Sequence, residues 1–187
     1  MGGDGKEVNS RRAVFLDRDG VLSRSLLRDG KPVAPTTMAE FELLPGVAEA
    51  LKRLHTAGFI LVVVTNQPDV GTGLTKREAV EEMHRRLRAW LPLDDIKVCY
   101  HVEADGCDCR KPKPGMLLAV ARERGIDLAK SFMVGDRWRD VAAGKAAGCR
   151  TILVDYDYAE RKAESPDYTV KSMPDAAEII LKTRGRV

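Results

Sequence analysis

Short apolar runs that alternate with helix-like stretches constrain this chain more than any other feature of its sequence. Ala13 to Asp17 (AVFLD), Phe59 to Val64 (FILVVV), Ile96 to Tyr100, Ser131 to Val134 (SFMV) and Thr151 to Val154 each read as a buried strand. One helical pattern is opened by Pro45-Gly46 and stopped at Gly58. Another begins at Thr75-Lys-Arg-Glu78, which has the form of a capping box, and runs to about Trp90. Further helices are expected over Pro114 to Arg124 and Arg137 to Ala147, and Ser172 can cap a last one with Pro174 in its first turn. Residues 23–42 read as irregular, because Pro32 and Pro35 oppose a helix. The alternation predicts an α/β fold: a three-layer, Rossmann-like parallel sheet with helices on both faces and no large cap domain. Ligands of such sheets bind beyond the carboxyl ends of the strands, at a topological switch point. The residues closing these runs are polar where that rule wants them: Asp17 and Asp19, then Thr65 and Asn66, then Asp136.

The 187 residues fit one domain, and 44% apolar with 32% charged residues is ordinary for a soluble globular protein. A net charge of +3 of mixed origin argues against nucleic-acid binding by bulk electrostatics, yet leaves cations to attract a small phosphorylated metabolite. No stretch is apolar and long enough to span a bilayer, so no membrane partner is expected, and the polar start MGGDGKEVNSRR has no signal core. Residues 1–12 therefore read as a disordered lead-in, and 13–187 as a single cytoplasmic domain, monomeric because no apolar stripe is left exposed by the pattern. In a reducing compartment the four cysteines stay unpaired, yet three of them crowd into residues 99–109.

The acids after the first strand suggest a chemistry. Asp17 and Asp19, two residues apart with Gly20 to turn the chain, can reach one crevice. A carboxylate can attack phosphorus to form an acyl phosphate, provided a cation removes the repulsion between the two anions. Mg²⁺ suits hard oxygen ligands: the side chains of Asp17 and Asp136, and the backbone carbonyl of Asp19. Asp19 can protonate the leaving oxygen and then deprotonate the water that hydrolyses the intermediate. Thr65 and Asn66, with Gln67 beside them, can donate to phosphoryl oxygens, and Lys111 can balance the charge of the transferring group. Taken singly, Asp17 and Thr65 also fit turns, Asp136 a helix cap and Lys111 a solvated surface. Independent turns do not readily give the order strand-DxDG, strand-Thr-Asn, Lys-Pro, strand-Gly-Asp-xxx-Asp.

These segments resemble the four motifs of the haloacid dehalogenase superfamily: FLDRDGVL, VVVTNQ, RKPKPGM and VGDRWRD, over about Ala13 to Val154. The resemblance implies Asp17 as nucleophile, Asp19 as acid and base, Thr65 and Lys111 as phosphoryl stabilisers and Asp136 as magnesium ligand. It also implies that Asp140 orients the metal's surroundings or binds it through water.

Cys99-x-His101-x5-Cys107-x-Cys109 places three thiols and an imidazole within eleven residues, a donor set that suits a closed structural zinc site. The bland alternative is buried thiols with an incidental histidine, but the interval VEADGCDC is too polar to bury much. Such a loop would present Arg110 and Lys111 rigidly to the crevice. A cysteine/histidine loop just before RKP resembles the branch of D-glycero-D-manno-heptose 1,7-bisphosphate phosphatases and histidinol-phosphate phosphatases. That resemblance implies zinc on Cys99, His101, Cys107 and Cys109, substrate contact by Arg110 with Arg137 close by, and only small loops over the crevice. The chain departs from the branch in three places: Ser23-Arg24 where an asparagine is usual, Gly30-Lys31-Pro32-Val33 for a Gly-Tyr-Val segment, and TNQPDVGTG for TNQSG. The expected function is thus a sugar phosphatase, foremost for the C7 phosphate of the heptose bisphosphate. Histidinol phosphate is the alternative substrate, and a non-catalytic phosphate-binding module the alternative role.

Among the remaining candidates, Cys149 reads as a small buried residue, His55 and His84 as surface or packing residues, and Trp138 as either a ligand-stacking or a packing ring.

Overall fold

A computed structural model describes residues 11–28 and 30–183. Its central sheet has six strands, all parallel, in the order β5-β4-β1-β6-β7-β8. These are β1 (Ala13–Leu16), β4 (Ile60–Asn66), β5 (Asp95–Cys99), β6 (Phe132–Gly135), β7 (Arg150–Val154) and β8 (Tyr168–Val170). The helices are α1 (Val47–Thr56), α2 (Pro68–Gly71), α3 (Arg77–Trp90), α4 (Gly115–Arg124), α5 (Trp138–Ala147) and α6 (Met173–Thr183). Strands β2 (Leu26–Arg28) and β3 (Lys31–Val33) form a separate antiparallel hairpin.

The period of two explains the layers. In β1, Val14 and Leu16 pack into one apolar cluster with α1, α3 and α6, while Ala13 and Phe15 pack into the other with α4 and α5. Strand β4 divides the same way, with Leu61 and Val63 on the first side and Val62 and Val64 on the second. Each central strand is therefore buried on both faces and can only be apolar, up to the residue where it leaves the sheet. After β1 the chain moves outward to β4 and β5, then returns to place β6 on the other side of β1. The switch point lies at the carboxyl ends of β1 and β6, which deliver Asp17 and Asp136 to the same place.

Three local expectations change. Residues 23–42 contain the β2–β3 hairpin, with Pro32 paired to Leu27; a two-stranded ribbon of three-residue strands leaves Pro room that a central strand would not. Strand β8 adds a sixth, edge strand. The Thr75 hydroxyl does not cap α3 but donates to the Thr36 carbonyl at 3.2 Å, and α3 starts at Arg77 without a side-chain cap. Ser172 does cap α6, its Oγ accepting from Asp175 N at 3.2 Å. Of the expected lead-in, residues 1–10 lie outside the described residues, whereas the Arg11 and Arg12 carbonyls already accept from Asp127 N (2.8 Å) and Ile60 N (2.9 Å). Among the described residues no second domain covers the sheet, and no helix is long and apolar enough to cross a membrane.

Candidate active site

Asp17 follows β1, tied in by its N–H to the Val134 carbonyl at 2.9 Å. Its Oδ1 accepts from Arg18 N (2.8 Å) and lies 2.9 Å from Lys111 Nζ. Lys111 is only 2% exposed, and its ammonium also meets Asp140 Oδ1 at 2.6 Å. Burial opposes the charge of Lys111, but Asp140 and Asp17 outweigh it and raise its pKa. Asn66 clasps the Lys111 backbone, its Nδ2 donating to the carbonyl at 3.0 Å and its Oδ1 accepting from the amide at 3.1 Å. The amide expected to donate to phosphoryl oxygens is thereby engaged in fixing Lys111.

Asp136 sits at the end of β6, 4% exposed. Neither carboxylate oxygen reaches a partner at hydrogen-bonding geometry among the described residues, although its charge bears on the Tyr158 hydroxyl. It does not cap α5. Asp140 does that instead, Oδ2 accepting from Arg137 N at 3.0 Å while Oδ1 holds Lys111. Gly20 makes the close approach possible. Its φ is +86°, and a Cβ there would stand 2.0 Å from Asp136 Oδ2.

One oxygen from each of Asp17, Asp136 and Asp140 lies within 4.8 Å of the others. Three carboxylates share one ammonium. Burial first, then the Asp140 charge, raises Asp17 from 3.8 to about 6. Burial and the charges of Asp17 and Asp140 hold Asp136 well above the ordinary carboxylate range. Two acids held off their charge by one another, one with both oxygens unpartnered, form the environment a hard divalent cation resolves.

Asp19 stands beside this group, held by a buried network. The fully buried Arg18 forks onto it through Nε and Nη2, each at 2.9 Å. Arg18 also meets Gln67 Oε1 (2.9 Å) and His84 Nε2 (3.2 Å), with Phe41 5.6 Å from its guanidinium. Gln67, expected on the substrate side, is instead 1% exposed beneath Asp19; its Nε2 donates to Asp19 Oδ2 (2.8 Å) and Thr65 Oγ1 (2.9 Å). Thr65, equally buried, accepts that bond and keeps its own proton to donate. His84 is a member of the network rather than mere packing: burial, then the Arg18 charge, pushes it down to about 4, so it is neutral.

These residues border a cavity of about 170 Å³ lined by Asp17, Asp19, Asn66, Arg110, Lys111 and Arg137, with Pro32 and Val33 of the hairpin above. Arg110 is half-buried and donates to the His101 carbonyl at 3.2 Å. Arg137 is held by Glu160, Nε to Oε1 at 2.9 Å with a second close contact from Nη2 to Oε2. Trp138 is flanked by the guanidinium groups of Arg139 and Arg161, 5.1 and 4.2 Å from its ring.

The cysteine loop closes on itself. Cys109 Sγ lies 3.1 Å from Cys99 Sγ, 3.4 Å from Cys107 Sγ and 3.3 Å from His101 Nδ1. Cys99 ends β5 beside Asn66 of β4, so the loop is anchored in the sheet. Burial pushes the Cys99 thiol up to about 12. Burial acts the same way on Cys107, but bonds from Cys109, from the Arg110 backbone and from Cys99 bring it down to about 7. All four donor atoms lie within 4.8 Å of one another, a set that can hold a metal. Cys149 is buried apart, as its place before β7 suggested.

The sequence reading missed Arg18, His84, the hairpin and Ser23, whose Oγ donates to Asp19 Oδ1 at 3.0 Å. Arg18 lies between two acids, and nothing local signals that its side chain turns inward to fork onto Asp19.

A family model described as HAD-hydrolase-like matches residues 108–176. The D-glycero-beta-D-manno-heptose-1,7-bisphosphate 7-phosphatase of Pasteurella multocida is 35% identical over 190 residues, covering 91% of this chain and 97% of that protein. The enzyme of the same name from Pseudomonas aeruginosa is 38% identical over 150 residues, 78% of this chain and 82% of that one. Among solved structures, the D,D-heptose 1,7-bisphosphate phosphatase of B. bronchiseptica, complexed with magnesium and phosphate, superposes with a TM-score of 0.75 at 31% identity, covering 91% of this chain and 98% of the other.

Proposed function

The chain belongs to the HAD-like hydrolase family, among the heptose-1,7-bisphosphate 7-phosphatases, and from that premise we propose that it removes the C7 phosphate of D-glycero-D-manno-heptose 1,7-bisphosphate. The observation that carries this reading is the convergence of Asp17, Asp19, Lys111, Asp136 and Asp140 at the switch point of the sheet.

Asp17 is the nucleophile, its carboxylate oriented by Lys111 and by the Arg18 amide. Asp19 gives a proton to the leaving alkoxide and later takes one from the attacking water. Lys111, with Thr65, faces the negative charge of the transferring group. Asp17, Asp136 and the Asp19 carbonyl would hold Mg²⁺, with Asp140 fixing Lys111 and the Arg137 amide beside them. When bound, the ion supplies charge neutralisation between nucleophile and phosphoryl group. The unpartnered oxygens of Asp136 and the three carboxylates per ammonium fit it. Arg110 meets the second phosphate of the substrate and Arg137 borders it.

Cys99, His101, Cys107 and Cys109 would hold Zn²⁺. Tetrahedral ligands at Zn–S bonds of about 2.3 Å stand about 3.8 Å apart. Five of the six separations among the four donors run from 3.1 to 3.7 Å and all six lie within 4.8 Å, close enough for one ion to reach every donor. Clamped thiols of this kind fit a reducing cytoplasm.

The test is phosphate release with Mg²⁺ from both anomers of heptose 1,7-bisphosphate, from fructose 1,6-bisphosphate and from histidinol phosphate, with Asp17→Asn as control. One heptose anomer should lead in kcat/KM by orders of magnitude. Faster turnover of histidinol phosphate would overturn the substrate. Turnover by Asp17→Asn at the wild-type rate would overturn the nucleophile.

A further inference from the structure

Four cations border the cavity beside the carboxylates: Arg110, Lys111, Arg137 and Arg139. Arg110, Lys111 and Arg139 also border a second cavity of about 240 Å³, which Trp138 helps to line. The two cavities therefore meet at these three side chains.

Two of the four cations are already spent. Lys111 is shared between Asp17 at 2.9 Å and Asp140 at 2.6 Å. Arg137 turns its fork onto Glu160, Nε to Oε1 at 2.9 Å with a second close contact beside it. Arg110 and Arg139 are not spent. Arg110 donates to the neutral His101 carbonyl at 3.2 Å, and no carboxylate among the described residues pairs with it. Arg139 has no ion pair or hydrogen bond among the described residues. Its guanidinium lies 5.1 Å from the Trp138 ring, which steadies a cation but supplies no counter-charge.

The junction is short of anions. Burial first, then the charges of Arg137 and Arg110, pull Arg139 below the ordinary guanidinium range, so like charges bear on one another here. Two acids act on Arg139 without pairing with it: Glu160, committed to Arg137, and Glu103 on the lining of the second cavity. Lys113, on that same lining, is paired with Asp108 at 3.1 Å. Two guanidinium forks are left open, and such forks take phosphate oxygens in pairs. Asp17 and Arg139 line one cavity, so a single small substrate can meet both.

We propose that Arg139, with Arg110, forms a subsite for a second phosphoryl group where the two cavities meet, and that Arg139 thereby selects bisphosphorylated over monophosphorylated sugars. This rests on the reading of the chain as a sugar-bisphosphate phosphatase. Arg137, which the resemblance places near the substrate, is held by Glu160, and its neighbour two residues on carries the open fork. The distal phosphate keeps all its bonds through the reaction, so the subsite holds it alike in ground and transition state.

The test is Mg²⁺-dependent phosphate release from heptose 1,7-bisphosphate and from the heptose 7-phosphate that lacks the C1 phosphate. Wild type, Arg139→Met and Arg139→Lys are compared, with Tm measured for each. Met keeps an apolar stem against Trp138 and removes the charge. In Arg139→Met the bisphosphate-to-monophosphate ratio of kcat/KM should fall about tenfold or more, the size of losing a hydrogen-bonded charge, and mostly through KM. Arg139→Lys, with the charge but not the fork, should keep a ratio between the two. An unchanged ratio in Arg139→Met, or a Lys variant no better than the Met variant, overturns the proposal. Arg110→Met is the comparison. If it lowers the ratio and Arg139→Met does not, the role of Arg139 falls and the bisphosphate reading stands. If wild type itself hydrolyses the monophosphate as fast as the bisphosphate, the bisphosphate reading falls and takes the subsite with it.

Discussion

Replacing Asp17 by Asn should stabilise the magnesium-free protein above pH 6 and change it little at pH 4. In the fold, burial and the Asp140 charge raise the Asp17 carboxyl from 3.8 to about 6. A carboxyl raised by folding favours the protonated native state. Its contribution is complete below 3.8 and is lost as pH climbs through about 6. Two units correspond to about 3 kcal/mol. For a chain of this size that is roughly 6–12 °C in Tm. Asn cannot ionise, so the variant escapes the loss. It also relieves Asp136, which the Asp17 charge helps to hold protonated.

The wild-type profile alone cannot reveal this. His84 is pushed from 6.5 down to about 4, so its contribution is present above 6.5 and disappears as pH falls toward 4. That slope has the opposite sign over the same window. The quantity to measure is therefore the difference in Tm between Asp17→Asn and wild type, by calorimetry from pH 4 to 8. The buffers should be free of magnesium and of chelators, so that the cysteine cluster keeps its metal. The difference should rise with pH between about 4 and 6 and then level off. Adding Mg²⁺ above pH 6 should stabilise wild type and do less for the variant. A difference that is flat with pH, or a variant less stable than wild type at pH 7, would refute the electrostatic reasoning.

Lys111→Met should abolish phosphatase activity and cost about 3–5 kcal/mol in urea unfolding, because Asp140 and Asp17 lose their counter-charge inside the protein; a loss below 1 kcal/mol would show that water reaches them. Gly20→Ala forces an L side chain at φ +86° into Asp136, and should cost about 1–2 kcal/mol from backbone strain alone, with a larger loss of Mg²⁺-dependent activity. Wild-type activity there would show that Asp136 has room to retreat. Cys109→Ser removes the thiol that touches all three other donors, so metal analysis should find the zinc gone and Tm lowered, whereas retained zinc would refute the cluster. Asn66→Ala should lower kcat with a smaller effect on KM, since its two bonds to the Lys111 backbone are lost; an effect on KM alone would return Asn66 to direct substrate binding.

What could be read from the sequence was whatever a local pattern encodes. Strands β1 and β4 are buried on both faces, so they must be apolar until the residue that leaves the sheet, and that residue is the first free to be polar. Asp17, Thr65 and Asp136 were visible for that reason. The β2–β3 hairpin and β8 are three residues per strand, too short to carry a period, and lie outside the sheet or at its edge. The Thr75–Glu78 capping box was a sound local signal overridden by a tertiary acceptor, the Thr36 carbonyl. Gln67 and His84 escaped because their environment is assembled from distant segments: Arg18 from the first strand's end, Gln67 from the second's, His84 from the middle of α3.

The same division separates chemistry from selectivity. The groups proposed for phosphoryl transfer stand at the ends of central strands, where main-chain pairing on both sides fixes Asp17 and Asp136. Lys111 reaches them from a loop, but Asn66 of β4 locks its backbone to the sheet. The rest of the cavity lining is built otherwise: Pro32 and Val33 from the hairpin, Arg110 from the end of the cysteine loop, and Arg137 restrained by Glu160. Of these, the hairpin carries Gly30-Lys31-Pro32-Val33, one of the places where the chain departs from the branch it resembles. Loops tolerate such change because few buried contacts depend on them, whereas a shift at a strand end would displace an acid among three within 4.8 Å. Substitutions in the hairpin should therefore alter which phosphate ester is preferred while leaving the Mg²⁺-dependent hydrolysis of 4-nitrophenyl phosphate intact.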